Sequence, residues 1–224
     1  MFWHLLSAKP LKHYFRVLTN VQIHSVESLQ EALRVLHLEY KVPHVVISSI
    51  PLSGTFATSL PFWLRRRPGE KSPSTDEFLL CITSSKLAEV PEVPSIVHTL
   101  RIPRIPGYFS GVGDLFSSLV LAHFHRSQTS ADSSQTALSY AVSRSCQTTH
   151  AVLSRTYLYS MTLPAEDCTT TDEELDLKDP DRKVRRMKGR ELRLVKERDL
   201  ILGKGLNTDE NGLEDMKEWV GFWL

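Results

Sequence analysis

The chain has few cysteines and no excess of charge of one sign. Its three cysteines, Cys81, Cys146 and Cys168, are odd in number and widely spaced among 224 residues. This pattern excludes a disulfide framework and a CxxC-type zinc site, and it is typical of a reducing compartment. The 27 basic and 26 acidic residues leave a net charge of +1. No overall field therefore attracts nucleic acid or an anionic membrane.

Long hydrophobic runs are also missing. The N-terminal apolar stretch MFWHLLSAKPL is interrupted by His4 and lacks a small-residue cleavage site, so we predict no signal peptide and no membrane span. With 41% hydrophobic and 24% charged residues, the composition is that of a soluble globular chain. We expect a cytoplasmic protein, or one that is also nuclear, with no nucleic-acid or membrane partner.

The first half of the chain alternates helix and strand patterns. Apolar residues at helical spacing predict an amphipathic helix over 25–40, with Ser28 and Glu31 as a candidate capping box unless the helix begins earlier. Continuous β-branched residues predict a buried strand over 44–50, followed by strands over 77–84 and 95–101. A helix followed by an apolar strand is typical of half an α/β unit, so we expect a mostly parallel sheet.

The second half contains helices and charge blocks. Residues 114–126 predict a helix that is apolar on most of its circumference, and 136–161 a second helix or helix pair. Residues 166–181 carry eight acids and 182–198 nine bases, which predicts a solvated charged linker over 162–188. The alternation in ELRLV predicts an edge strand over 191–195, and we expect 203–224 to be a loosely held tail.

One glycine-containing segment carries the candidate chemistry. Gly111 and Gly113 flank Val112 directly before the apolar helix, and Asp114 opens that helix. Glycine permits positive φ and close approach to bare backbone, while a helix N-terminus presents unpaired N–H groups to an anion. Asp114 is placed to accept a proton from a bound hydroxyl. The alternative is a tight turn with Asp114 as a plain N-cap, which the residue types alone favour.

Several segments in the same order resemble a known family. PGYFSGVGDLFSSLVLA resembles the GxGD signature of the ribokinase superfamily, most closely its pyridoxal kinase branch. HVVISS, THAVLSRT and ELRLVKERDLI resemble that family's nucleotide-side strand, penultimate helix and closing strand with its turn. VLTNVQIHSVESLQEALRVLH is similar to its helix after a PN-containing segment. The colinear resemblance covers roughly residues 17–202.

The resemblance implies a fold and a chemistry. The fold is the C-terminal part of a ribokinase-like three-layer α/β sandwich with a mostly parallel sheet, incomplete at its N-terminal side. Asp114 would be the general base that takes the proton of a 5′-hydroxymethyl group, and the amides of Gly111, Val112 and Gly113 would cradle the transferred phosphoryl group. ATP and Mg²⁺ are the implied cosubstrate and cofactor, with a monovalent cation and a homodimer as in relatives.

Further positions are implied to bind ATP. Ser48 and Ser49 fall at the strand end where the family places hydroxyl residues against the phosphates. The alternative for both serines is hydrogen bonding to local backbone. The family lines its adenine pocket with the positions matched by Ile105, Pro106 and Gly107. Phe109 either packs against the base or belongs to the core, the commoner place for an aromatic ring.

The N-terminal segment departs from the family. Residues 1–16 match nothing in it, and the alignment replaces the family's asparagine and metal-associated glutamate by Leu11 and Tyr14. No metal ligand is therefore assigned. A truncated or alternatively spliced product, or a misassigned start, would explain this departure. Without the family's first half, the acceptor hydroxyl would have no pocket to orient it.

The resemblance thus predicts an ATP-dependent kinase for the 5′-hydroxyl of pyridoxal, pyridoxine or pyridoxamine in pyridoxal 5′-phosphate salvage. Two alternatives remain open. One is an inactive kinase fragment that binds nucleotide or a full-length kinase subunit. The other is a ribokinase-superfamily kinase for a different hydroxymethyl substrate, such as hydroxymethylpyrimidine.

Overall fold

The structure, a computed structural model, describes most of the chain and divides it into two compact units. The described residues are 16–52, 54–65, 77–86, 94–127, 135–164, 177–204 and 213–224. We call Met1–Arg104, Leu119–Arg144 and Leu213–Leu224 the sheet unit, and Ile105–Ser118 with Ser145–Gly212 the helical unit. Residues 1–15, most of the unmatched segment, lie outside the described residues.

The first helix of the sheet unit begins with a capping box. Helix α1, Val26–Arg34, has Ser25 as its N-cap. The Ser25 hydroxyl accepts from the Ser28 amide at 3.3 Å, and the Ser28 hydroxyl accepts from the Ser25 amide at 2.9 Å. The capping box predicted between Ser28 and Glu31 is therefore wrong, and the helix starts earlier. Residues Val35–Glu39 continue it as one π-helical stretch.

The sheet has four strands in the order β1, β2, β3, β4: His44–Pro51, Phe78–Ser85, Ile96–Pro103 and Lys217–Glu218. The first three match the predicted strands within one or two residues. Every pair is antiparallel, so the expected mostly parallel sheet is wrong. Strands β2 and β3 are joined by only ten residues, too few for the crossover that a parallel pair requires.

Strand β1 contains a bulge. Ile47 is opposite Ile82 and Ile50 is opposite Leu80, so Ser48 and Ser49 together face the single residue between those partners. The two serines therefore lie inside the strand, which continues to Pro51, and not at its end as predicted. Because a bulge redirects side chains and breaks the ladder locally, it places two hydroxyl groups outside the regular alternation.

The core of the sheet unit is apolar. Leu29 and Leu33 of α1 pack in one cluster with Ile47 of β1 and Ile82 of β2. Short helices α2, Gly54–Ser59, and α3, Phe62–Arg65, add further buried apolar side chains. A mixed α/β fold is thus confirmed. Burial of this apolar surface is the main stabilising contribution.

The C-terminal residues belong to this core. Trp219 and Phe222 are 5% and 3% exposed, and Leu213 and Met216 are buried as well. The Trp219 amide donates to the Val97 carbonyl at 2.8 Å, and the Gln30 side chain donates to the Phe222 carbonyl. The loosely held tail expected here is wrong for 213–224, because three large aromatic rings stack edge to face and remove much apolar area from water.

His37 lies in a buried row of hydrogen bonds in the sheet unit. Its Nδ1 donates to the Val42 carbonyl at 2.6 Å, so its Nε2 accepts from the Ser84 hydroxyl at 2.7 Å. Ser95 in turn donates to Ser84 at 2.7 Å. The imidazole is fully buried, and this burial lowers the pKa of His37 below its usual value, which favours the neutral ring.

Two long helices each have residues in both units: α4, Val112–Ser127, and α5, Ala137–Ser160. Both were predicted. Helix α4 is less buried than expected, since Leu115, Phe116 and Leu119 are buried but Leu121 is half exposed.

The helical unit also contains α6, Pro180–Lys188, and α7, Arg198–Ile201. Residues 180–188 of the expected solvated linker are thus helical, while 165–176 lie outside the described residues. The predicted strand over 191–195 is wrong. Glu191 makes a single parallel bridge to Ser110, and the chain turns at 194–197 before α7. Apart from that single bridge, residues 191–195 pair with no other described strand, so their alternating pattern does not produce a strand.

Candidate active site

The glycine segment forms a left-handed turn into α4. Gly111 has φ +83°, and its carbonyl accepts the first helical hydrogen bond, from Leu115, at 3.0 Å. A Cβ added to Gly111 would meet nothing within 4 Å, so the backbone angle, and not packing, requires glycine. Gly113 lies inside the first helical turn. The two glycines therefore have different structural roles.

The turn presents several N–H groups at one helix end. Val112, Gly113 and Asp114 are the first three helical residues, and helix geometry provides no intrahelical acceptor for their N–H groups. The Ser117 hydroxyl donates to the Gly113 carbonyl at 2.8 Å, which ties the turn to the next one. The positive end of the helix dipole also favours a negative ligand here.

Asp114 occupies the third helical position and is exposed. The N-cap position belongs to Gly111, so interpreting Asp114 as a plain N-cap is wrong. An exposed carboxylate within one turn of three directed amides can face the same small ligand as those amides.

A backbone contact holds the turn in place. The Ser110 amide donates to the Arg190 carbonyl at 2.9 Å, and Ser110 bridges to Glu191. The segment that resembles the family's closing strand therefore supports the residue directly before Gly111, although it forms no full strand.

A cleft of about 220 Å³ opens in the helical unit beside this turn's leading residues. Its lining includes Pro106, Gly107 and Phe109, three of the predicted adenine-side residues, but not Ile105. Gly107 has φ +103°, and a Cβ on it would lie 3.3 Å from the Phe109 ring. The remaining lining residues are Tyr108, Tyr157, Ser160, Met161, Leu163, Arg186, Gly189 and Arg190.

An aromatic pair forms part of the cleft wall. Phe109 meets Tyr157 edge to face with centroids 6.4 Å apart. Elsewhere in the helical unit, the Arg193 guanidinium lies 4.0 Å from the centre of the Tyr159 ring. Flat apolar rings next to polar groups are typical of small-molecule clefts.

Helix α6 faces two of its three arginines inward. Arg182 and Arg186 are 4% and 3% exposed, while Val184 and Met187 are 51% and 42% exposed. This reverses the usual pattern of an amphipathic helix. At the N-cap, Asp179 forms a 2.8 Å ion pair with Arg185, and that hydrogen bond is the main reason why the pKa of Asp179 is lowered.

Sequence reasoning missed these arginines because it assigned the basic block to solvent. A usable signal was present. Arg182, Arg186 and Arg190 recur every four residues, which places them on one face of a helix.

Ser48 and Ser49 belong to the sheet unit, and the glycine turn to the helical unit. The Ser48 hydroxyl oxygen is buried and forms no hydrogen bond with another described residue. Bonding to local backbone, the alternative for Ser48, is therefore not observed. Buried unsatisfied hydroxyl groups are uncommon and point to a ligand or a water.

Metal-ligating residues do not cluster in the described part of the chain, where no group of three His, Cys, Asp or Glu side chains could hold an ion. Among the helices of the same residues, none is long and apolar enough to cross a membrane.

Known proteins show a consistent similarity. No family model matches the chain. It is 25% identical over 214 residues to a Schizosaccharomyces pombe protein named putative pyridoxal kinase, and that match covers 91% of the chain and 53% of the relative. A second S. pombe protein of the same description is 33% identical over 111 residues, which is 50% of the chain and 28% of that protein. The match thus spans about half, or less, of each relative.

Solved structures agree with these relatives. The pyridoxal kinase of Leishmania donovani in complex with ADP and pyridoxine aligns with a TM-score of 0.54 and 16% identity, over 92% of this chain and 48% of that one. The similarity to pyridoxal kinases is thereby confirmed. The fold is shared with about half of such a kinase.

Proposed function

We propose that this chain acts in the ATP-dependent phosphorylation of the 5′-hydroxyl of a B6 vitamer, pyridoxal, pyridoxine or pyridoxamine. The observation that carries the proposal is the exposed Asp114 carboxylate in the first turn of α4, next to the directed amides that follow Gly111. The similarity to pyridoxal kinases supports the choice of substrate class.

In the proposed reaction, the Asp114 carboxylate accepts the proton of the vitamer hydroxyl as its oxygen attacks the γ-phosphorus of ATP. The bond from that phosphorus to the bridging oxygen breaks, and ADP leaves with the electron pair. Amides at the start of α4 stabilise the charge on the equatorial oxygens. Positioning and charge stabilisation account for most of the rate in phosphoryl transfer.

ATP is the proposed cosubstrate, and its base is assigned to the cleft lined by Pro106, Gly107 and Phe109. The described residues contain no cluster suited to a resident metal ion. Mg²⁺ is therefore assigned only as part of the MgATP substrate, which is how this ion usually enters kinase sites, held largely by phosphate oxygens and water.

The test is a vitamer phosphorylation assay with Asp114→Asn. The amide is nearly isosteric but cannot take the proton, so we expect turnover to fall by about 10²- to 10⁴-fold. Asp199→Asn is the matched control, because Asp199 is also an exposed acid in a first helical turn. Phosphorylation that is equal in the two variants would refute the role of Asp114.

The partial match favours a second candidate. Since the chain matches about half of its longer relative, it is also a candidate nucleotide-binding partner of a full-length kinase subunit, without turnover of its own. ATP binding with no phosphorylation of any vitamer would support this candidate. Phosphorylation of hydroxymethylpyrimidine in place of the vitamers would instead identify a different acceptor.

A further inference from the structure

Two arginines of the cleft lining have no role in the proposed reaction. Arg186 and Arg190 both line the cleft beside Phe109 and Tyr157, and Arg186 is almost fully buried. Arginine keeps its positive charge even when it is buried, because its pKa lies far above neutrality. The cleft therefore combines aromatic rings with fixed positive charge.

The reversed burial of α6 brings these charges inward. Arg186, a residue of the cleft lining, is buried, while Val184 and Met187 of the same helix face solvent. Arg190 follows Arg186 at four-residue spacing and continues the row beyond the end of α6. Such a row suits a ligand with several negative charges.

The backbone of Arg190 is held by a hydrogen bond to the segment that precedes Gly111. Its carbonyl accepts from the Ser110 amide at 2.9 Å. Ser110 joins Phe109, which lines the cleft, to Gly111, which opens the anion-binding turn. The Arg190 backbone is thus fixed at the junction between the cleft and the turn.

We propose that Arg190, reinforced by the charge of Arg186, contacts the α- and β-phosphates of a nucleoside di- or triphosphate whose base occupies the cleft. This inference rests on the proposed function, which places the γ-phosphate at the amides after Gly111. The planar guanidinium fork matches phosphate oxygens in a bidentate manner. Arg190 is then a positioning residue that sets the preference for polyphosphate over free nucleoside.

Calorimetric titration of the full chain with ATP, AMP and adenosine tests this role. We expect Arg190→Gln to weaken ATP binding by about 10- to 100-fold, the effect of losing a charged hydrogen bond. Adenosine binding should not change. Arg190→Lys keeps the charge but loses the fork, so its loss should be smaller. Arg198→Gln is the control, because that arginine is largely exposed and outside the cleft lining.

Two outcomes would overturn the inference: unchanged ATP affinity in Arg190→Gln, or an equal loss of ATP and adenosine affinity. A thermal melt of each variant separates a binding loss from unfolding. The result is independent of turnover. Arginine-dependent ATP binding in a chain that phosphorylates no vitamer would support the inference and refute the proposed reaction, whereas vitamer phosphorylation with unchanged ATP affinity in Arg190→Gln would do the reverse.

Discussion

The two units differ in what they bury. Among the described residues of the sheet unit, buried side chains are mostly apolar. Its buried polar residues include the hydrogen-bonded pair His37 and Ser84 and one arginine, Arg101, whose guanidinium lies 4.1 Å from the centre of the Phe78 ring. Among the described residues of the helical unit, buried polar and charged side chains are at least as numerous as apolar ones, and they include Arg182 and Arg186. Apolar burial stabilises a fold, whereas buried charge is retained where it has a partner or a ligand. We therefore expect stability to depend mainly on the apolar core of the first unit, and ligand binding on the second.

The largest expected change in stability is that of removing a buried ring from the C-terminal residues of the sheet unit. Phe222→Ala should lower the free energy of unfolding by about 3–5 kcal/mol, because a buried ring contacting both Trp219 and Trp223 is removed. Urea denaturation followed by tryptophan fluorescence measures it. Leu224→Ala, at a fully exposed position, is the control. If the two substitutions lowered the free energy of unfolding equally, the Phe222 side chain would not belong to the hydrophobic core.

A pH-dependent effect is expected at His37. Burial lowers the pKa of His37 in the folded chain, so below about pH 6.5 the unfolded chain binds more protons and stability falls as the pH drops. The slope from this group is at most about 1.4 kcal/mol per pH unit. His44, whose pKa burial also lowers, adds to the slope, and Lys86 lies near enough to disfavour protonation of His37.

Denaturation at pH 7, 6 and 5 measures this slope. His37→Gln should reduce it, and His24→Gln, at an exposed position, should leave it as in the parent chain. A slope that is the same in all three proteins would refute the buried neutral imidazole.

The smallest expected change in stability is that of replacing one glycine of each unit by alanine. Gly54 and Gly111 both have positive φ, and an added Cβ would meet nothing within 4 Å at either. Alanine should therefore destabilise both by a similar amount, about 1–2 kcal/mol of backbone strain. Only Gly111→Ala should also reduce vitamer phosphorylation, by 10-fold or more, since it moves the amides at the start of α4. Equal activity losses would contradict the division between the units.

Much of the secondary structure was predictable because it follows local periodicity. The apolar spacing in α1 and the β-branched run of β1 were sufficient signals. Sheet direction was not predictable in the same way, since it depends on how β2 and β3 are connected and paired. A continuous apolar strand is equally suited to either direction once both faces are covered.

The candidate site was predictable in part. The glycines and Asp114 could be located from their spacing before an apolar helix, and their positions at the start of α4 agree with that spacing. Arg186 could not be assigned to a cleft, because a basic run is usually solvated and its burial depends on tertiary packing. The burial of Phe222 also depends on tertiary packing. It could not be predicted from the sequence, because 213–224 has little periodic pattern.

One packing detail sets the size of the cleft. A Cβ on Gly189 would lie 2.5 Å from the Leu163 Cδ1, and both residues line the cleft. Any larger side chain at 189 must displace the leucine, so the room available to a purine-sized ring depends on how small these two residues are together. Among chains descended from a common ancestor with this one, substitutions at 163 and 189 should therefore be correlated, with a gain in volume at one matched by a loss at the other.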